Sequence, residues 1–96
     1  MTYRVLIDRK INIALQRLSP KSRRVIMEKL AALAVDPYPG SGGDKERLHV
    51  QGRDDTYRLH IGRTYTAFYR IREPEQEVLV LTVMSIEQAH KKYGNF

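Results

Sequence analysis

The chain has 96 residues, 42% of them hydrophobic, no cysteine and a net charge of +6. That length suits a single domain, residues 1–96, built around one core. The lack of cysteine excludes a disulfide framework and thiolate chemistry, and no apolar run approaches the ~20 residues a membrane span needs.

The opening MTYRVLIDRK has three apolar residues in a row and no small-residue cleavage site, unlike a secretory signal. A cytoplasmic location without membrane association is therefore expected. Charge is unevenly spread. Residues 1–46 carry nine Lys/Arg against five Asp/Glu, residues 47–72 six against two, and residues 73–96 two against four. The middle segment is the electropositive part. Such a patch either attracts an anionic partner, as nucleic acid, acidic protein or lipid surface, or is a solvated face that keeps the chain soluble.

In chain order, residues 3–7 (YRVLI) suit a short buried strand. In RKINIALQRL, residues Ile11, Ala14, Leu15 and Leu18 recur at helical spacing, so a first helix should run to about Leu18. Ser19-Pro20 then offers a capping residue and a proline at the first helical position. A second helix follows, with Val25, Ile26, Leu30, Leu33 and Ala34 as its apolar stripe, and stops before Asp36-Pro37. The stretch 36-DPYPGSGGDK-45 is a loop. Its glycines do not make a phosphate cradle, because a helix precedes it and strands follow.

The remainder reads as strands. Residues 47–50 (RLHV) are expected as a short edge strand, 55–61 and 64–71 as a hairpin turning at Gly62-Arg63, and 78-VLVLTVM-84 as a strand buried on both sides. The tail from Ile86 is a short helix or turn ending near Gly94. The order β-α-α-β-β-β-β implies an α+β domain, with a helical hairpin on one face of a small, mostly antiparallel sheet. The first strand should join it, with parallel pairing beside the last as one arrangement. Alternation sends Leu59, Ile61, Ala67, Tyr69 and Ile71 to the helices, and Arg58, His60, Thr66, Phe68 and Arg70 to the other face. Only the tail is left to cover that face, so it is expected to be open and basic.

With these elements the chain resembles the RelE/ParE toxin superfamily. The resemblance is carried by the helical hairpin, R-L-H-V-x-G at 47–52, the hairpin Y-R-L-x-I-G…Y-x-x-x-Y-R-I at 57–71, the closing apolar strand and Tyr93. It implies the toxin of a type II toxin–antitoxin system. In its nuclease branch the resemblance implies metal-independent cleavage of mRNA in the ribosomal A site, without a cofactor. There the 2′-hydroxyl attacks the adjacent phosphate and basic side chains stabilise the transition state. The alternatives it leaves are a ParE-like protein-binding inhibitor of gyrase and a decayed toxin that only binds its antitoxin. The implied partners are a RelB-like antitoxin, mRNA on the ribosome, and operator DNA through the antitoxin alone.

Matched position by position, the candidate catalytic residues are Arg58, His60, Arg70, His90 and Tyr93. Candidate RNA-binding residues are Arg53, Arg63, Phe68, Lys91 and Lys92. Histidine suits proton transfer because its ordinary pKa is about 6.5. Arg58 and Arg70 either contact phosphate or pair with acidic neighbours across the sheet. Phe68 either stacks on a base or lies under the tail. Two positions depart from the family pattern. Thr66 stands where the fourth strand usually has arginine, and 85-SIEQA-89 lacks the arginine expected after the last strand. The three histidines, without cysteine or ligand spacing, do not form a metal site.

Overall fold

Two polar caps start the helices. The Asp8 carboxylate accepts from the Lys10 amide at 2.7 Å, and the Ser19 hydroxyl accepts from the Ser22 amide at 3.2 Å. Each satisfies one backbone donor that the first helical turn would otherwise leave unpaired. A computed structural model of the chain describes residues 2–40, 42–49, 52–53 and 55–93, except the side chains of Lys92 and Tyr93. Its elements are β1 (Arg4–Ile7), α1 (Arg9–Gln16), α2 (Pro20–Ala32), β2 (Lys45–Arg47), β3 (Thr56–Ile61), β4 (Tyr65–Arg72), β5 (Glu77–Ser85) and α3 (Ile86–Tyr93).

The strands form one sheet in the order β1-β5-β4-β3-β2. β1 runs parallel to β5, as expected, and the other pairings are antiparallel. β1 is therefore an edge strand, and Leu6 is exposed rather than buried. β5 lies inside the sheet, but a register shift opposite Phe68 and Tyr69 leaves Leu81 exposed. Burial of β5 on both sides holds only for its first half. β2 comes earlier than 47–50 and is made of Lys-Glu-Arg. Val50 lies outside the described residues. The first helix ends at Gln16, where the Arg17 and Leu18 amides turn back to the Ala14 and Leu15 carbonyls in a tighter turn.

The core sits between the helical hairpin and one face of the sheet. Ile11, Leu15, Ile26, Leu30 and Leu33 meet Tyr57, Leu59, Ile61, Ala67, Tyr69, Ile71, Val78 and Val80. Two members of the expected helical stripes, Ala14 and Val25, are exposed. Tyr69 is fully buried. It stacks on its cross-strand partner Tyr57 with ring centroids 5.5 Å apart, and Tyr38 meets Tyr57 edge-on at 6.0 Å. The Tyr69 hydroxyl donates to the Pro37 carbonyl at 2.6 Å. At the hairpin turn Gly62 has φ 61°, a conformation that side chains rarely adopt.

Tyr69→Phe removes that buried donor and strands the Pro37 carbonyl. We expect it to destabilise the fold by about 1–3 kcal/mol, read as a lower urea midpoint with an unchanged denaturant slope.

Candidate anion site on the sheet face

The second face of the sheet is not open. Thr66 and Phe68 alternate with core residues yet are 2% and 6% exposed. α3 contacts β4 and β5, and its Ala89 is buried outside the main core cluster. This short helix covers the part of the face carrying Thr66 and Phe68. Phe68 is thus packed away from solvent and does not present its ring to a base. Thr66, which replaces the family's arginine, donates its hydroxyl to the Leu59 carbonyl at 3.2 Å.

The covering helix begins with a reciprocal cap. The Ser85 amide donates to Gln88 Oε1 at 3.0 Å, and the Gln88 amide donates to Ser85 Oγ at 3.0 Å. This is a capping box, with S-x-x-Q spacing legible in the sequence. The segment that lacks the family's arginine is occupied by helix initiation.

On β3, two of the expected site residues come together around a carboxylate. The β2–β3 register places Glu46 directly opposite Arg58, and the two form an ion pair. His60 lies two residues along on the same face, with Nε2 3.8 Å from Glu46 Oε1. The Arg58 side chain is 8% exposed and that of Glu46 47%. The arginine thus lies beneath and the carboxylate faces solvent. Burial lowers the Arg58 pKa, but a guanidinium keeps its proton at any physiological pH.

Burial also holds His60 below its ordinary 6.5. The Arg58 charge adds to that effect and Asp44 opposes it. At neutral pH the imidazole is therefore the uncharged form, able to accept a proton.

Arg70 is placed differently. It sits opposite Thr56, and its Nε and Nη2 donate to one Asp55 oxygen at 3.2 and 3.1 Å. The Ile71 amide donates to the Asp55 carbonyl, which fixes the aspartate beside the arginine. Arg70 also borders a 540 Å³ depression shared with Arg47, Arg72 and Glu73. There the Glu73 carboxylate accepts from the Tyr3 hydroxyl at 2.8 Å and from the Tyr38 hydroxyl. Those bonds, Tyr38 first, hold Glu73 below the usual carboxylate range.

The remaining candidates are dispersed. Arg53 is exposed. Arg63 belongs to the hairpin turn and borders a separate cavity with Lys21. His90 and Lys91 are exposed on α3, which packs on β4 and β5. The Lys92 and Tyr93 side chains lie outside the described residues. Sequence reasoning missed Glu46 and Asp55. Neither stands out in a motif, and each becomes visible only through strand register.

The model of the ParE toxin family, of type II toxin–antitoxin system parDE, matches residues 7–90. The chain belongs to this family. No curated protein matches it at a significant level. Among solved structures, this ParE-family chain is similar to the archaeal RelE–RelB complex from Pyrococcus horikoshii. The identity is 29% and the TM-score 0.73, covering 88% of this chain and 96% of that one. It is also similar in fold to the RelBE2 toxin–antitoxin complex from Mycobacterium tuberculosis, at 22% identity and TM-score 0.71, covering 88% and 99%. The isolated RelE toxin of E. coli matches at 18% identity and TM-score 0.66, covering 94% and 97%. The chain is a toxin of the RelE/ParE superfamily.

His60 should titrate with a midpoint below 6.5, measurable from its ring protons by NMR. Arg58→Gln should raise that midpoint only in part, because burial is the larger cause. A histidine whose folded pKa is depressed stabilises the fold above the unfolded pKa, and that contribution is lost as pH falls through the folded value. His60→Gln should therefore flatten the loss of stability on acidification below about pH 6.5.

Proposed function

We propose that this toxin is a RelE-type endoribonuclease that cleaves mRNA in the ribosomal A site, and that a small RelB-like antitoxin neutralises it. The observation that carries the reading is the convergence of Arg58 and His60 on one anion, the Glu46 carboxylate. A guanidinium fork that holds a carboxylate can hold a phosphate in the same way. An uncharged imidazole beside it has the protonation state a general base needs.

In this reading His60 takes the proton of the RNA 2′-hydroxyl. That oxygen bonds to the adjacent phosphorus, and the bond from phosphorus to the 5′-oxygen breaks. The leaving oxygen receives a proton from a second group, for which His90 and Tyr93 are the candidates. The products are a 2′,3′-cyclic phosphate and a 5′-hydroxyl. Arg58 stabilises the charge that builds on the phosphoryl oxygens, and Arg70 lends a further positive charge along the face. Arg53, Arg63, Lys91 and Lys92 would contact the flanking backbone. The antitoxin reading is supported by the P. horikoshii relative, solved as a RelE–RelB complex. The complex with its antitoxin would contact operator DNA only through the antitoxin.

Two observations favour a ParE-like protein-binding inhibitor of gyrase instead. Both arginines of the face already have carboxylate partners, and the arginine after the last strand is replaced by a helix cap. The assay that separates the readings is mRNA cleavage on programmed ribosomes, mapped by primer extension. Cuts confined to A-site codons, dependent on ribosomes and ending in 2′,3′-cyclic phosphate, are expected. His60→Gln should slow them by about 10²–10⁴-fold, and Arg70→Ala should slow them less. Absence of cuts by folded, antitoxin-free protein, together with inhibition of gyrase supercoiling, would replace the nuclease reading with the inhibitor.

A further inference from the structure

Glu46 is the middle residue of the three-residue edge strand β2, and its carboxylate is on the solvent side of the buried Arg58. The guanidinium edge that Glu46 pairs with is thereby closed to an incoming anion while the pair holds. The backbone beneath it is tied down on both sides. The His60 amide donates to the Asp44 carbonyl at 2.7 Å, and the Leu48 amide donates to the Thr56 carbonyl at 2.9 Å. Lys45 Nζ also donates to the Asp36 carbonyl at 2.8 Å. Glu46 can leave Arg58 by rotating its exposed side chain, a picosecond-to-nanosecond motion that needs no loss of strand pairing.

We propose that Glu46 is a gating residue: its carboxylate occupies the seat of the substrate phosphate on Arg58 and must be displaced before RNA binds there. The identity of the anion as an RNA phosphate rests on the nuclease reading. The occupancy of the seat does not. Carboxylate and phosphodiester each bring one negative charge and both match the guanidinium fork. The carboxylate, however, is tethered, which gives it a high effective concentration at Arg58. A free phosphate or mononucleotide competes poorly with it. A strand of RNA already held by other cations presents its phosphate with the same tethered advantage and displaces it. Glu46 therefore selects anions that are anchored elsewhere on the toxin.

The experiment uses the full chain free of antitoxin. Binding of a single-stranded RNA dodecamer is followed by fluorescence anisotropy, and inorganic phosphate is titrated against the His60 ring signals in NMR. Glu46→Gln is expected to tighten dodecamer binding by roughly tenfold, the scale of one charge-assisted hydrogen bond. It should also let millimolar phosphate shift the His60 signals, which wild type resists. Glu46→Gln with Arg58→Gln should lose the gain. Glu75→Gln, which removes an equal charge beside Arg72, should leave dodecamer affinity within about twofold.

A Glu46→Gln protein with wild-type thermal stability, unchanged RNA affinity and no phosphate response overturns the gate, whatever the ribosome assay gives. A phosphate response that depends on Arg58, without mRNA cleavage by either protein, keeps the gate and removes the nuclease reading.

Discussion

The buried hydroxyl of Tyr69 ties the two halves of the domain together. Tyr69 lies on the central strand β4, stacks on Tyr57 and bonds the Pro37 carbonyl in the loop that follows α2. An apolar ring alone would fill the core. The hydroxyl adds direction, fixing where the chain leaves the helical hairpin before it turns back to form β2. Tyr38, in the same loop, meets Tyr57 edge-on and reaches Glu73 in the turn between β4 and β5. The position of β2, and with it Glu46, follows from this docking of the loop.

Placing α1 and α2 on one face of a five-stranded sheet leaves the other face with too little apolar cover. The chain resolves this in two ways. α3 shields Thr66 and Phe68 near β4 and β5. Beyond it, towards the β2 edge, long charged side chains lie across the strands and pair with carboxylates: Arg58 with Glu46 and Arg70 with Asp55. A buried arginine is tolerated only when its charge is compensated. The chemistry of the face and its structural upkeep therefore use the same residues.

Much of this arrangement can be read from residue patterns. Ser19-Pro20 marks the start of α2. The alternation in 57-YRLHI-61 and 67-AFYRI-71 assigns both faces of the hairpin. The apolar run 78-VLVLTVM-84 marks a strand inside the sheet with room for the first strand beside it, and the structure gives that pairing its parallel direction. Register across β2 is a different matter. Lys45, Glu46 and Arg47 show no apolar alternation, so nothing local announces a strand or tells which residue faces Arg58. The tight placement of Phe68 depends on α3 packing back over the sheet, a tertiary contact that periodicity does not encode. The cap formed by Ser85 and Gln88 was legible and explains a departure from the family pattern that sequence matching registers only as a missing arginine.

The parallel pairing of β1 with β5 has a consequence for how the molecule comes into being. Arg4 is in register with Glu77 and pairs with it as an ion, and Ile7 lies opposite Val80. The contact joins segments more than 70 residues apart in the chain. A pairing of such high contact order closes late and slowly, after the entropy of a long loop has been overcome. While the polypeptide is being synthesised, β1 has no neighbour until β5 emerges. The helical hairpin can form early, but the complete sheet assembles only once β5 is available to pair with β1. A toxin built this way acquires its full surface as a whole, and a prematurely terminated product lacks the strand that completes it.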